Sequence, residues 1–210
     1  MCKQCETNPV YEFTNKRKLC KTCFVHYFEK KVLYTIRKFG LIKQREIIGY
    51  KKASDFKSVV LDRILTFISE KSEITLVKIP NKKVKKIAVN SSLDSESERI
   101  IKILIGGKSE GLEKCFSIEK NMIKPLYLFL DEEILLYAKL KNLKFTEKKK
   151  KKSKIANFLG ELEKKHPEVK RATVNSILEL YKNNYFFCLS INLCINILVC
   201  SFSLFISFII

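Results

Sequence analysis

Histidine is the side chain most often used to move protons near neutral pH, and it occurs only twice in this 210-residue chain, at His26 and His166. His26 follows a cysteine motif and reads as a surface residue or a support for that motif. His166 precedes Pro167 at the expected end of a helix and reads as a cap-region residue. Carboxylates are also short, 22 Asp and Glu against 41 Lys and Arg. The ones that cluster, Asp131, Glu132 and Glu133, are consecutive, so on a helix they point in different directions and make no paired acid–base site. Cys115 has no cysteine neighbour in the central region, which supports neither an iron–sulfur cluster nor a persulfide relay there. The chain opens without a charged-then-apolar leader, so a reducing, intracellular setting is expected.

The same imbalance has a positive side. A formal net charge of +19 favours a polyanionic partner, nucleic acid first. The plain alternative is a lysine-rich, solvated surface.

Cysteine is present in a pattern. Cys2-Lys-Gln-Cys5 is followed, after a short loop, by Cys20-Lys-Thr-Cys23. Each pair fits one tight turn, and together they offer four thiolates to a tetrahedral Zn²⁺ with Zn–S bonds of about 2.3 Å and no open position for a substrate. The intervening loop carries Pro9, Tyr11 and Phe13 but too few apolar residues to fold alone, so metal binding would supply its folding free energy. Two disulfides are the competing reading, disfavoured in a reducing compartment.

Downstream, Phe24, Phe28, Val32, Ile36 and Phe39 recur at helical spacing, with Gly40 as a C-cap. A strand is expected at 45–50, then a helix bearing Val59, Val60, Ile64, Leu65 and Ile68. Strands at 74–79 and 84–89 follow, with Pro80-Asn81 turning the chain between them. Ser91 to Glu98 opens a helix that runs into Ile100, Ile101, Ile103 and Leu104 and breaks at Gly106-Gly107. A short strand is expected at 116–118. Apolar positions from Leu126 to Leu143 suggest one helix with Pro125 in its first turn. Two more helices are expected, from Ile155 to Lys165 and from Ala172 to Leu180. Alternating strands and helices predict an α/β layer with parallel pairing.

This gives a four-part organisation: residues 1–40 as zinc knuckle and helix, 41–145 as an α/β domain, 146–184 as a basic linker and helices, and 185–210 as an apolar tail. Lys148, Lys149, Lys150, Lys151 and Lys152 form an unbroken basic run and read as a solvated linker able to meet phosphates. Residues 185–210 carry no charge; they could anchor the chain in a membrane, form a buried element, or be a spurious extension of the reading frame.

In α/β nucleotide-binding proteins the turn after the first strand is glycine-rich, so that backbone N–H groups can approach phosphates. Here it reads Gly49-Tyr-Lys-Lys-Ala-Ser-Asp-Phe-Lys-Ser58, with no glycine in the turn itself. Lys51, Lys52 and Lys57 could attract a phosphate and Ser54 and Ser58 could donate to it, but the missing glycines argue against ATP.

The order of parts resembles a known family. The Cys-x-x-Cys…Cys-x-x-Cys-Phe knuckle leads into an aromatic helix, a strand and a loop-to-helix turn. Ile123-Lys-Pro-Leu, Glu133-Ile-Leu-Leu-Tyr137 and Lys-Leu-Lys-Asn-Leu143 come later, then Phe158-Leu-x-x-Leu-Glu, His166-Pro167 and Val174-x-x-Ile177-Leu178. Together these resemble the cytoplasmic tRNA 2-thiolation proteins, paired subunits of the adenine-nucleotide α-hydrolase-like (PP-loop) fold. Lacking both an intact loop and paired core cysteines, the chain is similar to a short, divergent tRNA 2-thiolation protein 2, the non-catalytic subunit. The stretch Glu29-Lys-Lys-Val-Leu-Tyr-Thr-Ile36 resembles the catalytic subunit. The resemblance implies a reduced PP-loop domain behind a structural zinc knuckle. It also implies a cytoplasmic heterodimer with the catalytic subunit, and tRNA contacts at Lys51, Lys52 and Lys148–Lys152. A divergent ATP-using thiolase and a zinc-bearing tail-anchored adaptor are the alternatives.

Overall fold

Residues 1–107, 109–147 and 153–180 are described by a computed structural model. Its organising element is helix α1, Lys21–Phe39, which starts on the second cysteine pair with Cys20 as N-cap. Phe24, Phe28, Val32 and Ile36 form its buried stripe. Gly40 ends it in the left-handed conformation, φ 59°, which a Cβ would strain; the next amide, Leu41 N–H, returns to the Ile36 carbonyl at 3.0 Å. Ahead of α1, β1 (Tyr11–Glu12) and β2 (Lys18–Leu19) pair as a small antiparallel hairpin.

The central sheet is built from β3 (Ile47–Tyr50), β4 (Thr75–Lys78), β5 (Lys86–Ala88), β6 (Ile118–Glu119) and β7 (Met122–Ile123), in the order β4-β3-β5-β7-β6. The first four of these are parallel, and β6 is antiparallel to β7 at the edge. Parallel neighbours need crossovers. Helix α2 (Phe56–Ser69) carries β3 to β4, and α3 (Leu93–Ile105) lies on the way from β5 to β7. Helices α4 (Asp131–Leu140), α5 (Lys154–Lys165) and α6 (169–180) complete the fold. His166 is the C-cap of α5, the cap position expected for it.

One apolar cluster runs without a break from Cys2 and Leu19 through Phe24, Phe28, Ile48, Val60 and Ile64 to Phe129, Ile134 and Tyr137. Phe28 stacks on Tyr137 with ring centroids 4.2 Å apart and lies 4.3 Å from Phe129. Each such ring contributes about 2–3 kcal/mol of apolar burial. The cluster therefore welds the cysteine-bearing N-terminus to α4. A second cluster, with Leu93, Ile100, Cys115, Tyr127, Val174 and Ile177, seats α6 against α3.

Three stretches differ from the sequence expectation. The strand expected at 116–118 lies instead at Ile118–Glu119, after a 3-10 helix, Ser109–Cys115, in a stretch where no element was expected. The helix expected from Leu126 begins only at Asp131. Residues 125–128 form a turn that buries Leu126 and Tyr127, and the Glu133 carboxylate accepts the Leu130 N–H at 2.9 Å while Asp94 accepts that of Asp131 at 2.7 Å. Acceptors for the free N–H groups fix the start of a helix, and the apolar spacing upstream belongs to the turn. Met122–Ile123, where no strand was expected, is a parallel strand beside β5; two residues are too few to show alternation.

Candidate metal centre and the cleft at the sheet

The turn holding Cys2 and Cys5 is closed by Cys2 N–H to Thr7 O at 2.9 Å and Glu6 N–H to Cys2 O at 3.1 Å, with Glu6 at a φ of 58°. Cys20 and Cys23 stand at the N-terminus of α1. The four Sγ atoms all lie within 4.8 Å of one another; Cys5 is 3.3 Å from Cys20 and 3.6 Å from Cys23. These separations are well beyond a bonded S–S of about 2.05 Å, and all four cysteines are free. They bracket the edge of about 3.8 Å that a tetrahedron of 2.3 Å bonds requires. Thiols this close influence one another's protons. The Thr7 hydroxyl, ahead of other donors, brings the Cys20 thiol down to about 6, while the hydrogen bond that Cys23 shares with Cys20, with burial behind it, pushes the Cys23 thiol up to about 12. Four thiolates at this spacing need a cation between them, and the group could hold one metal ion.

Aromatic packing holds this knuckle in place. Tyr11 packs 5.1 Å from Phe24, and its hydroxyl donates to Glu132 at 2.9 Å. The Arg17 guanidinium lies 4.4 Å above the Phe13 ring and 5.0 Å from that of Tyr27. Lys31 of α1 pairs with the fully buried Glu133 at 3.2 Å. Burial, against the pull of Glu133, brings the Lys31 ammonium down to about 8. Asp131, Glu132 and Glu133 thus take three separate partners, Lys57, Tyr11 and Lys31, as consecutive helical residues must.

A cleft of about 640 Å³ opens at the carboxyl ends of β3 and β5, where the sheet order reverses. This is where open α/β sheets bind ligands. Asp55 is the N-cap of α2: its carboxylate accepts the Ser58 N–H at 3.2 Å and the Ser58 hydroxyl at 2.7 Å. Asn90 donates to the same Ser58 hydroxyl at 2.7 Å. A negative charge therefore sits where a phosphate would meet the helix dipole. Lys57 is tied to Asp131 at 2.7 Å and donates to Ser92 and Ser95 at 2.9 and 3.0 Å. Lys51, Lys52 and Ser54 are exposed; Ser54 lines the cleft, and its carbonyl accepts the Thr146 N–H at 2.7 Å. Gly49 has a packing role. A Cβ there would lie 2.6 Å from Val84 Cγ1 and 2.7 Å from Ile79 Cγ2. Deeper, the buried Lys124 pairs with Glu96 at 3.0 Å.

Lys148 to Lys152 and residues 185–210 lie outside the described residues. The chain ahead of the lysine run is pinned by Thr146 to Ser54, and the chain after it by Ser153, which donates to Glu98 at 2.6 Å. Among the described residues no helix is long and apolar enough to cross a membrane. Sequence reasoning passed over Asp55 as a cap, although an Asp three residues ahead of Ser58 at the start of an apolar run is such a signal. Nothing in the sequence pointed to Asp131 as the partner of Lys57.

No family model and no curated protein matches the sequence. Among solved structures, the U34-tRNA thiolase NcsA from Methanococcus maripaludis, with its 4Fe–4S cluster, shares the fold. The TM-score is 0.68 at 18% identity, covering 86% of this chain and 87% of that one. The architecture, shared with that structure, is thus a mixed α/β fold with a mostly parallel sheet behind an N-terminal four-cysteine cluster. Outside the knuckle the described residues hold one cysteine, Cys115, buried and with its thiol pushed up to about 11 by that burial. In the knuckle, sulfurs within 4.8 Å of one another enclose the volume of a single ion rather than of four irons and four sulfides.

Proposed function

We propose that this protein is an accessory subunit of a tRNA thiolation complex, binding tRNA and a catalytic PP-loop subunit and performing no sulfur transfer alone. The observation that carries the reading is a thiolase-type fold in which the phosphate position of the sheet cleft is taken by the chain's own side chains. Asp55 caps the helix that would receive a phosphate, and Asp131 holds Lys57. The knuckle takes a structural Zn²⁺ through Cys2, Cys5, Cys20 and Cys23, which keeps the hairpin and the start of α1 together. Lys51, Lys52 and the run Lys148–Lys152 contact the phosphate backbone, so affinity falls steeply with salt. The modified position is the wobble uridine and the setting is the cytoplasm, as the family resemblance implies. The test is mass spectrometry of tRNA nucleosides from cells depleted of the protein. A fall in 2-thiouridine is expected, and an unchanged level ends the reading.

A further inference from the structure

The outer face of α1 takes no part in the core, the metal centre or the cleft. His26, Lys30, Tyr34 and Lys38 recur on it at four-residue spacing, all exposed, and Tyr34 keeps 53% of its surface in solvent. A tyrosine this open on a helix otherwise well packed serves no folding purpose that the neighbouring contacts reveal. A groove of about 340 Å³ runs along this face and is lined by Gln4, His26, Tyr27, Lys30, Lys31 and Tyr34. Gln4 lies inside the Cys2–Cys5 turn, so the metal knuckle forms one wall of the groove.

The charge on this face has one sign. Helix α1 carries Lys21, Lys30, Lys31, Arg37 and Lys38 and a single acid, Glu29. Glu29 is occupied elsewhere, accepting from the Tyr137 hydroxyl at 3.0 Å and pairing with Lys141 at 3.1 Å. Among the described residues no carboxylate pairs with Lys30 or Lys38, whereas Lys38 lies 5.8 Å from the Tyr34 ring and Lys31 lies 5.5 Å from that of Tyr27. Of these, Tyr34 is the exposed ring, and it sits one helical turn from the unpaired Lys30 and one from Lys38. An exposed aromatic ring between unpaired cations is what an unpaired nucleic-acid strand uses: a base stacks on the ring, and phosphates meet the ammonium groups.

We propose that this face is a binding site for single-stranded RNA, with Tyr34 as the stacking platform, Lys30 and Lys38 as the phosphate contacts, and the knuckle turn at Gln4 as its edge. It shares no lining residue with the sheet cleft and takes an unpaired segment rather than a duplex. The proposal rests on the tRNA reading above only for the identity of the polymer that supplies that segment.

The test uses the full, metal-loaded chain and two probes, a mixed-sequence 15-nucleotide RNA and a tRNA transcript, with affinity followed by fluorescence anisotropy over a range of salt. Tyr34→Ala is expected to weaken binding of the short RNA about tenfold. Lys30→Glu with Lys38→Glu should weaken it further and lower the salt slope by about 1.4, the share of two single-strand phosphates. A charge-matched control, Lys102→Glu with Lys165→Glu on other helices, should leave most of the affinity in place. Metal content and circular dichroism confirm that each variant is folded. If the α1 variants bind both probes as the unmodified protein does, the proposal is overturned while the tRNA reading stands. If they bind RNA normally but lose the catalytic subunit in co-purification, the face belongs to a protein interface and the proposal is again overturned. If the unmodified protein binds neither probe, the tRNA reading itself fails.

Discussion

The metal knuckle and the sheet cleft are both built from polar groups drawn together, and they end in opposite states. In the knuckle four thiols meet with no cation of the protein's own between them, so the group is completed only from outside. In the cleft Asp55 satisfies the start of α2, Asp131 satisfies Lys57, and Asn90 satisfies Ser58, so the chain completes the site itself. A site that demands a ligand and one that has replaced it are thus told apart by whether the counter-charges come from within.

The largest expected effect falls on the knuckle. Cys5→Ser removes one of four thiolates and forfeits much of the about 10–16 kcal/mol that structural zinc contributes to folding such modules. Metal analysis should show the ion lost and proteolysis should open the first twenty residues; a variant that keeps one equivalent of metal refutes the centre. Next comes the seam between the two regions. Lys31→Met strands Glu133 as an unpaired buried charge, at a cost of about 3–5 kcal/mol by denaturant unfolding, and Glu133→Gln in the same chain should restore a large part.

The same lysine sets a pH dependence. Its pKa is about 8 in the fold against roughly 10.4 in the unfolded chain. Between those values the unfolded chain binds more protons, so the contribution of Lys31 to stability rises as pH rises through that window. Metal-loaded Lys31→Met should lack that rise when its unfolding midpoint is compared with that of the unmodified protein at pH 7.5 and pH 10.

Gly49→Ala tests whether that glycine serves packing. Forcing a methyl against Val84 and Ile79 should cost about 1–3 kcal/mol with no change in any nucleotide response. The smallest effect is expected at the cap. Asp55→Ala should lose about 1 kcal/mol, and in vacating the helix N-terminus it should gain a thermal shift with millimolar pyrophosphate that the unmodified protein does not show. A shift of equal size in both would mean that Asp55 never blocked the helix N-terminus.

Much of the fold was legible because it is local. The apolar stripe of α1, its Gly40 terminus, the paired cysteines and the β3–α2–β4 alternation each depend on residues a few positions apart, where helical or strand period leaves a mark. The start of α4 was not legible, since it is set by Asp94 and by the side chain of Glu133 rather than by the run of apolar residues from Leu126. The short strand Met122–Ile123 exists only because β5 lies beside it.

By itself the sequence determined that four soft ligands would be presented in two tight turns and that the loop after the first sheet strand would lack the glycines a phosphate needs, because both follow from residue type and short spacing. Only the tertiary structure decided what stands in the phosphate's place, that Lys57 is taken by Asp131, and that the outer face of α1 is left basic, aromatic and uncovered. Those outcomes rest on encounters between distant parts of the chain, and such encounters leave no period in the sequence to read.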